Sequence, residues 1–138
     1  PSFDPVHGAD GWQISNLPIL SLAPYLASVE LFDEVGMEAL IEKRDKITAY
    51  LEFILHEIDK EVKGSFEIIT PSNPEERASQ LSVLLHGEGR ELFDYLMRKG
   101  VIIDWREPNV IRLAPVPLYC SFEDMYEFGQ ILKEGILQ

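Results

Sequence analysis

Apolar residues recur at three- and four-residue steps through residues 37–62, with charged residues between them. This spacing places the apolar side chains on one face of a helix, so it predicts a long amphipathic helix that ends at Gly64. The apolar stripe consists of Met37, Leu40, Ile41, Ile47, Leu51, Ile54, Leu55, Ile58 and Val62. Lys43 falls on the opposite, polar face.

A continuous apolar run precedes this helix and predicts another helix over Ile19–Val35, which breaks near Gly36. Pro18 suits the first helical position, because the N–H that proline lacks would have no partner there. Pro24 falls where we expect either an extension of the first turn or a kink.

After Gly64 the pattern changes to short segments typical of strands and turns. The pattern predicts four strands, with turns at PSNPEE and REPN. The predicted strands cover residues 65–70, 79–86, 101–105 and 110–115. Residues 87–100 predict a helix that Gly100 ends, and residues 121–137 predict a last helix with Ser121 as N-cap and Asp124 completing a variant capping box. The inward positions of the first of these helices are Leu92, Phe93, Leu96 and Met97. The order predicts an α+β fold, with helices on one face of a small, largely antiparallel sheet.

The composition narrows the class of protein. Hydrophobic residues make up 46% of the 138 residues, so we expect a domain with a buried core. The formal net charge of −12 argues against nucleic acid and against an anionic membrane surface as partners. The single cysteine, Cys120, suits a reducing compartment. Pro1 follows no initiator methionine and the first residues lack periodicity, so we expect a piece of a longer protein.

No complete catalytic set stands out. His7, His56 and His86 are far apart, and none has the spacing of a metal ligand to another His, Cys or carboxylate. No glycine-rich phosphate loop follows a strand, and no serine lies in a nucleophile elbow. Cys120 follows a tyrosine in a turn, which favours a small buried side chain over a nucleophile.

Arg112 lies among apolar residues in the segment VIRLAPVPLY. Its guanidinium can pair with a carboxylate of the protein, or it can bind a ligand carboxylate through two parallel hydrogen bonds. Residue chemistry alone favours an edge-strand arginine in a surface ion pair. Asp104 and Arg106, in the nearby segment DWREPN, could orient Arg112, although such a turn needs no function. Arg77 follows two glutamates, and we expect it to form an ion pair at the start of the second strand.

The opening segment GADGWQISNLPIL, residues 8–20, presents a similar choice. Ser15 and Asn16 can cap the helix that follows, and Trp12 can pack in the core. Alternatively, backbone and side-chain donors at a helix start can bind an anion such as phosphate.

Several segments together resemble the C-terminal part of the kynureninase family, in the same order and over nearly the whole chain. They are GWQISNLPI, ITAYLEFIL, IITPSNPEERASQLSV and KGVIIDWREPNVIRLAPVPLYCSFEDMYEF. The resemblance implies the small C-terminal domain of a pyridoxal-phosphate enzyme of fold type I, related to class V aminotransferases. Such enzymes hydrolyse L-kynurenine or 3-hydroxykynurenine to anthranilate or 3-hydroxyanthranilate plus L-alanine, in tryptophan degradation and NAD biosynthesis.

The resemblance also implies roles for individual residues. Arg112 resembles the arginine that holds the substrate α-carboxylate, which turns the preference towards ligand binding. Asn16 resembles an asparagine that lines the cofactor and substrate pocket, and Ser15 resembles its neighbour near the substrate ring. The chain departs from the family pattern at Leu17 and Cys120, where proline and asparagine are usual, and neither departure affects the expected ligand contacts.

The resemblance places the other cofactor contacts upstream. The lysine that binds pyridoxal phosphate covalently belongs to the large domain, so we expect this chain alone to be inactive. We expect residues 1–17 to be a loop from the cofactor-site side and residues 18–138 to be the small domain with its connecting helices. The expected partners are an amino-acid substrate, the protein's own N-terminal large domain and a second subunit of a cytoplasmic homodimer.

Two alternatives stay open on the sequence. The small domain of a class V aminotransferase or of a cysteine desulfurase also uses an arginine for an α-carboxylate. An independent α+β module for binding or dimerisation would need no cofactor.

Overall fold

The structure, a computed structural model, describes residues 3–87 and 89–138. The chain divides into two compact units, one that ends at Met37 and one over Glu38–Gln138. The features expected of Pro1, and residue Glu88 within the predicted third helix (residues 87–100), lie outside the described residues.

The first unit contains a 3-10 helix, Ala9–Trp12, and helix α1, Ile19–Val35. The bounds of α1 are those predicted from the apolar run. Pro18 lies at the N-cap, one position before the predicted one, and Pro24 lies inside the helix. At the end of α1, the amide of Gly36 donates to the carbonyl of Phe32 (2.8 Å) with a φ of 82° that favours glycine.

The remaining elements follow the predicted order of helix, two strands, helix, two strands and helix. The helices are α2 (Met37–Glu61), α3 (Gly89–Arg98) and α4 (Phe122–Ile136). The strands are β1 (Phe66–Ile68), β2 (Leu81–Leu85), β3 (Asp104–Arg106) and β4 (Val110–Leu113), with a 3-10 helix, Pro74–Glu76, between β1 and β2. Within the described residues, no helix has the length and apolar character that a membrane span requires.

The four strands form one antiparallel sheet in the order β1-β2-β4-β3. Strands β2 and β4 therefore lie in the interior of the sheet, and β1 and β3 form its edges. Leu81 pairs with Leu113 and Val83 pairs with Ile111, so the apolar residues of both central strands point to the same face.

The helices of the second unit pack on that face and close the hydrophobic core. The fully buried side chains, from both sheet and helices, are Ile47, Leu51, Leu55, Leu81, Val83, Leu85, Leu96, Ile111 and Leu132. Burying each such side chain contributes about 1.5–3 kcal/mol before the entropy of ordering is subtracted. The prediction of an α+β fold with helices on one face of a largely antiparallel sheet is confirmed.

The predicted third strand, residues 101–105, is shorter and shifted. Strand β3 begins at Asp104, because the amide of Val101 still donates to the carbonyl of Leu96 at the end of α3 (3.0 Å). Arg106, expected in the turn, is the last residue of β3.

Three predicted core positions are exposed instead. Met97 is on the flank of α3, since each residue turns the helix by about 100° and Leu96 occupies the buried direction. Met37 and Ile41, at the beginning of the predicted stripe of α2, are also exposed.

Helix α4 begins with the predicted capping box. The amide of Asp124 donates to Oγ of Ser121 (3.1 Å), and the amide of Ser121 donates to Oδ2 of Asp124 (2.6 Å). These hydrogen bonds hold the pKa of Asp124 below its ordinary value. Two amides of the first turn thus gain partners that the helix itself cannot provide.

Arg77 ties the loop before β2 to helix α2. Its guanidinium binds both carboxylate oxygens of Glu52, with Nη1 donating to Oε1 at 2.8 Å, and Nη1 also donates to the carbonyl of Pro71 (3.2 Å). The side chains of Arg77 and Glu52 are only 6% and 19% exposed. The predicted ion pair of Arg77 is confirmed, and its partner comes from a helix that precedes it by 25 residues.

We expect the substitution Glu52→Gln to destabilise this chain by about 2 kcal/mol at pH 7, because it leaves a buried guanidinium without its counter-charge. The hydrogen bond from Arg77 lowers the pKa of Glu52 in the folded state. The contribution of the pair is therefore present above the unfolded pKa of about 4.5 and is lost as the pH falls through the folded value. Urea unfolding at pH 7 and at pH 3 measures both effects.

Glu57→Gln is the matched control, because Glu57 lies on the same helix in an exposed pair with Lys60. Its effect should stay within about 0.5 kcal/mol at either pH. An equal effect of the two substitutions at pH 7 would contradict the role assigned to Arg77 and Glu52.

Candidate functional site

Arg112 lies on the interior strand β4, on the face of the sheet opposite the core. Its neighbours Ile111 and Leu113 are buried against the helices, and the alternation of side chains along a strand turns Arg112 the other way. The expectation of an edge strand is wrong, since β4 pairs with β2 on one side and with β3 on the other. In this register Ser82 and Asp104 are the direct neighbours of Arg112.

Asp104 holds one edge of the Arg112 guanidinium. Its Oδ2 atom accepts a hydrogen bond from Nε of Arg112 (2.5 Å) and contacts Nη2 as well. The same oxygen accepts a hydrogen bond from Nε of Arg106 (3.0 Å). The hydrogen bond from Arg112, together with the charges of both arginines, holds the pKa of Asp104 below its ordinary value.

The pairing with Asp104 leaves part of the guanidinium available. Arginine carries five N–H donors in a planar fork, and Asp104 occupies the edge formed by Nε and Nη2. Among the residues that the structure describes, Nη1 of Arg112 has no hydrogen-bond acceptor. The side chain is 34% exposed, so its outer edge can accept a carboxylate through two parallel hydrogen bonds.

Ser82 on β2 borders Arg112 on the side away from Asp104, and it forms a short polar row with Gln80, which precedes β2, and Thr70, which follows β1. Nε2 of Gln80 donates to Oγ of Ser82 (3.2 Å), and the amide of Ser82 donates to Oγ1 of Thr70 (2.7 Å). No motif in the sequence marks these residues as part of a site. The alternation of β2 could have placed Ser82 on the non-core face, but not beside Arg112, because that depends on the pairing of β2 with β4.

Lys43 holds the segment that follows β4. Its Nζ atom donates to the carbonyl of Pro117 (2.6 Å), and the side chain is half-buried. The assignment of Lys43 to the solvent-exposed polar face of α2 is therefore wrong. The reason is non-local, since the partner lies 74 residues further along the chain.

Ser15 and Asn16 lie in the first unit, in exposed positions. The expectation that they cap α1 is wrong, because Pro18 occupies the N-cap and no side chain caps this helix end. The expectation that Trp12 packs in the core also fails, since Trp12 is 86% exposed. Arg112, in contrast, lies in the second unit.

The lysines among the described residues are exposed or paired with polar groups. A lysine that anchors a cofactor covalently needs a lowered pKa, which burial among apolar groups or a neighbouring cation provides. Lys63 is exposed, and the other five have polar partners within the second unit. These pairs are Lys43–Pro117, Lys46–Glu42, Lys60–Glu57, Lys99–Glu134 and Lys133–Glu61.

A mainly apolar surface cavity lies apart from Arg112. It has a volume of about 380 Å³ and lies between α4 and the segment before β3, where Ile102, Cys120 and Phe128 contribute to its wall. Cys120 is a free, half-buried thiol whose Sγ accepts from the amide of Val116 (3.3 Å). Over the described ranges, no three His, Cys, Asp or Glu side chains form a group that could hold a metal ion.

Comparison with known proteins gives consistent matches. The family described as "Kynureninase C-terminal domain" matches residues 43–132. The kynureninase of Flavobacterium johnsoniae is 85% identical over 137 residues, which are 99% of this chain and 32% of that protein. The kynureninase of Flavobacterium psychrophilum is 84% identical over 138 residues, 100% of this chain and 32% of that protein. That of Koribacter versatilis is 48% identical over 130 residues, 94% of this chain and 30% of that protein.

The chain thus spans 32% of the length of the Flavobacterium relatives that it matches. The matched family segment covers more than half of the chain and includes the whole sheet with Arg112 and Asp104. The chain therefore belongs to the kynureninase family, in which it corresponds to the C-terminal domain.

Proposed function

We propose that the whole protein hydrolyses L-kynurenine or 3-hydroxykynurenine to anthranilate or 3-hydroxyanthranilate plus L-alanine, a step of tryptophan degradation and NAD biosynthesis. The kynureninase names of the relatives and the family match support this activity. The observation that carries the proposal is the outer edge of the Arg112 guanidinium, which Asp104 leaves available on a partly exposed face of the sheet.

Arg112 binds the α-carboxylate of the substrate in this proposal. An arginine recognises a carboxylate by a planar two-point contact, which fixes the direction of the ligand as well as its position. A substrate held in this way presents its reacting bonds in one orientation, and orientation alone can account for several kcal/mol of a reaction barrier. The rigid interior strand β4 is suited to this task because both of its edges are hydrogen-bonded.

Asn16 lines the cofactor and substrate pocket in this proposal, and Ser15 lies beside it near the substrate ring. Both side chains are exposed in this chain and neither caps α1, so their polar groups are available to another part of the protein or to a ligand. Around them Ile14 and Trp12 are also exposed, at 99% and 86%.

Pyridoxal phosphate is the proposed cofactor, and it would supply the electron sink for cleavage of the bond between Cβ and Cγ of the substrate. The residues of this chain fit a supporting part only. Asn16 is suited to hold a polar group of the cofactor, whereas the exposed or paired lysines are not suited to hold it covalently. We therefore assign the covalent anchor and the catalytic groups to the upstream part of the protein, and we expect this chain alone to be inactive.

The upstream part is also the proposed partner of the first unit. Apolar side chains of residues 12–35 remain exposed, among them Trp12, Ile14, Ile19 and Leu20, and exposed apolar patches of this kind mark interaction surfaces. Residues 1–17 would then be a loop at the cofactor side and residues 18–138 the small domain with its connecting helices. The proposal also places the protein in the cytoplasm as a homodimer. The free thiol of Cys120 is suited to the reducing environment of that compartment.

We expect Arg112→Ala in the whole protein to lower kcat/KM for kynurenine roughly a hundredfold, which corresponds to about 3 kcal/mol for a lost charge-assisted pair. Arg112→Lys should retain part of the activity, because an ammonium keeps the charge but lacks the planar fork. Steady-state kinetics with kynurenine, followed through the formation of anthranilate, measures both variants.

Arg98→Ala provides the control, since Arg98 is an exposed arginine near the end of α3. It should leave kcat/KM within twofold of the unsubstituted protein, about 0.4 kcal/mol or less. Unchanged kinetics of Arg112→Ala would refute the role of Arg112 in the proposed function.

A second prediction concerns the cofactor. When the whole protein is treated with pyridoxal phosphate and then borohydride, the pyridoxyl label should fall on a lysine outside this chain. Mass spectrometry of the digested protein locates the label. A single dominant label on Lys43, or on any other lysine of this chain, would show that the covalent anchor has been assigned to the wrong part of the protein.

A further inference from the structure

We propose that Asp104 is the positioning residue of Arg112, which it holds by the Nε edge so that the edge formed by Nη1 and Nη2 is the one that meets the substrate carboxylate. This inference rests on the proposed function and deepens it, since it assigns a residue that does not itself touch the substrate.

The geometry of the Arg112 guanidinium supports this role. A carboxylate can bind arginine in two parallel ways, either across Nε and one terminal nitrogen or across both terminal nitrogens. Asp104 Oδ2 accepts from Nε of Arg112 (2.5 Å) and contacts Nη2, so it already occupies the first of these edges. A ligand carboxylate is left with the second edge, and its orientation is therefore determined by Asp104.

Asp104 is itself held in place. It lies directly opposite Arg112 in the antiparallel pair of β3 and β4, where facing side chains are about 5 Å apart at Cβ. Nε of Arg106 donates to the same Oδ2 atom (3.0 Å). Arg106, two residues away on the same strand, thus restrains the oxygen that restrains Arg112.

Without the contact to Asp104, the Arg112 side chain would have to be ordered when the ligand binds. An arginine side chain has many rotamers, and ordering it costs conformational entropy. A contact that exists before the ligand binds orders the side chain in advance, and binding then loses less entropy. The hydrogen bond from Arg112 also lowers the pKa of Asp104, so the carboxylate remains charged at neutral pH.

A competing role for Asp104 makes the opposite prediction. If its negative charge mainly weakened the attraction between Arg112 and the substrate, removing that charge would strengthen substrate binding. In the positioning role, removing the charge weakens binding. The sign of the change in KM therefore separates the two roles.

The experiment uses the whole protein with Asp104→Asn, Asp104→Glu and the matched control Asp45→Asn, which removes an aspartate from an exposed pair with Arg44. We expect Asp104→Asn to raise KM for kynurenine about tenfold or more, with a smaller change in kcat, as for a misplaced binding group. Asp104→Glu keeps the charge and should give an intermediate KM. Asp45→Asn should leave both constants unchanged.

A ligand without the carboxylate tests whether the effect passes through Arg112. Kynuramine, the decarboxylated amine of kynurenine, keeps the aromatic ketone and the amino group. Its inhibition constant should be the same for the unsubstituted protein and for Asp104→Asn. An equal loss for kynurenine and kynuramine would indicate a general structural defect and would overturn the inference.

The double variant distinguishes this inference from the proposed function. Adding Asp104→Asn to Arg112→Ala should produce no further loss, because residues that act through one another are not additive. Full additivity, or a lower KM for Asp104→Asn, would overturn the positioning role while leaving that of Arg112 intact. Unchanged kinetics of Arg112→Ala would instead refute the proposed function. If Asp104→Asn does not fold, Asp104→Glu decides, and an unchanged KM for it would contradict the inference.

Discussion

The antiparallel pairing of β4 with both of its neighbours is the constraint on which the rest of the second unit depends. It directs Ile111 and Leu113 into the core and Arg112 to the opposite face. A shift of the register by one residue would bury a guanidinium and expose two apolar side chains, which is strongly unfavourable. The burial of the core therefore also fixes the position of the proposed ligand-binding residue.

The same pairing places the two charged partners next to each other. Arg112 and Asp104 are eight residues apart in sequence and directly opposite in the sheet, so their contact needs no long side-chain reach. Two further side-chain contacts anchor the loop before β2 and the segment after β4 to helix α2. Arg77 joins the loop before β2 to α2 through Glu52, and Lys43 joins α2 to the carbonyl of Pro117 after β4.

The features that could be predicted from the sequence are the local ones. The bounds of α1, the capping box of Ser121 and Asp124 and the order of the elements follow from periodicity and from the chemistry of helix ends. Local reasoning failed for residues whose surroundings depend on more than the neighbouring sequence. The partner of Lys43 is 74 residues away, and Trp12 is exposed although its apolar character favours burial. The importance of Arg112 came from the resemblance to a family, because residue chemistry alone favoured a surface ion pair.

We propose that Arg112 receives the substrate carboxylate on the edge that Asp104 leaves available. The decisive measurement is a crystal structure of the whole protein with its cofactor and an unreactive kynurenine analogue. We expect the carboxylate oxygens to lie about 2.7–2.9 Å from Nη1 and Nη2 of Arg112, the usual range for such pairs, while Nε remains on Asp104. A carboxylate bound to another cation, with Arg112 making no contact to it, would refute this role of Arg112.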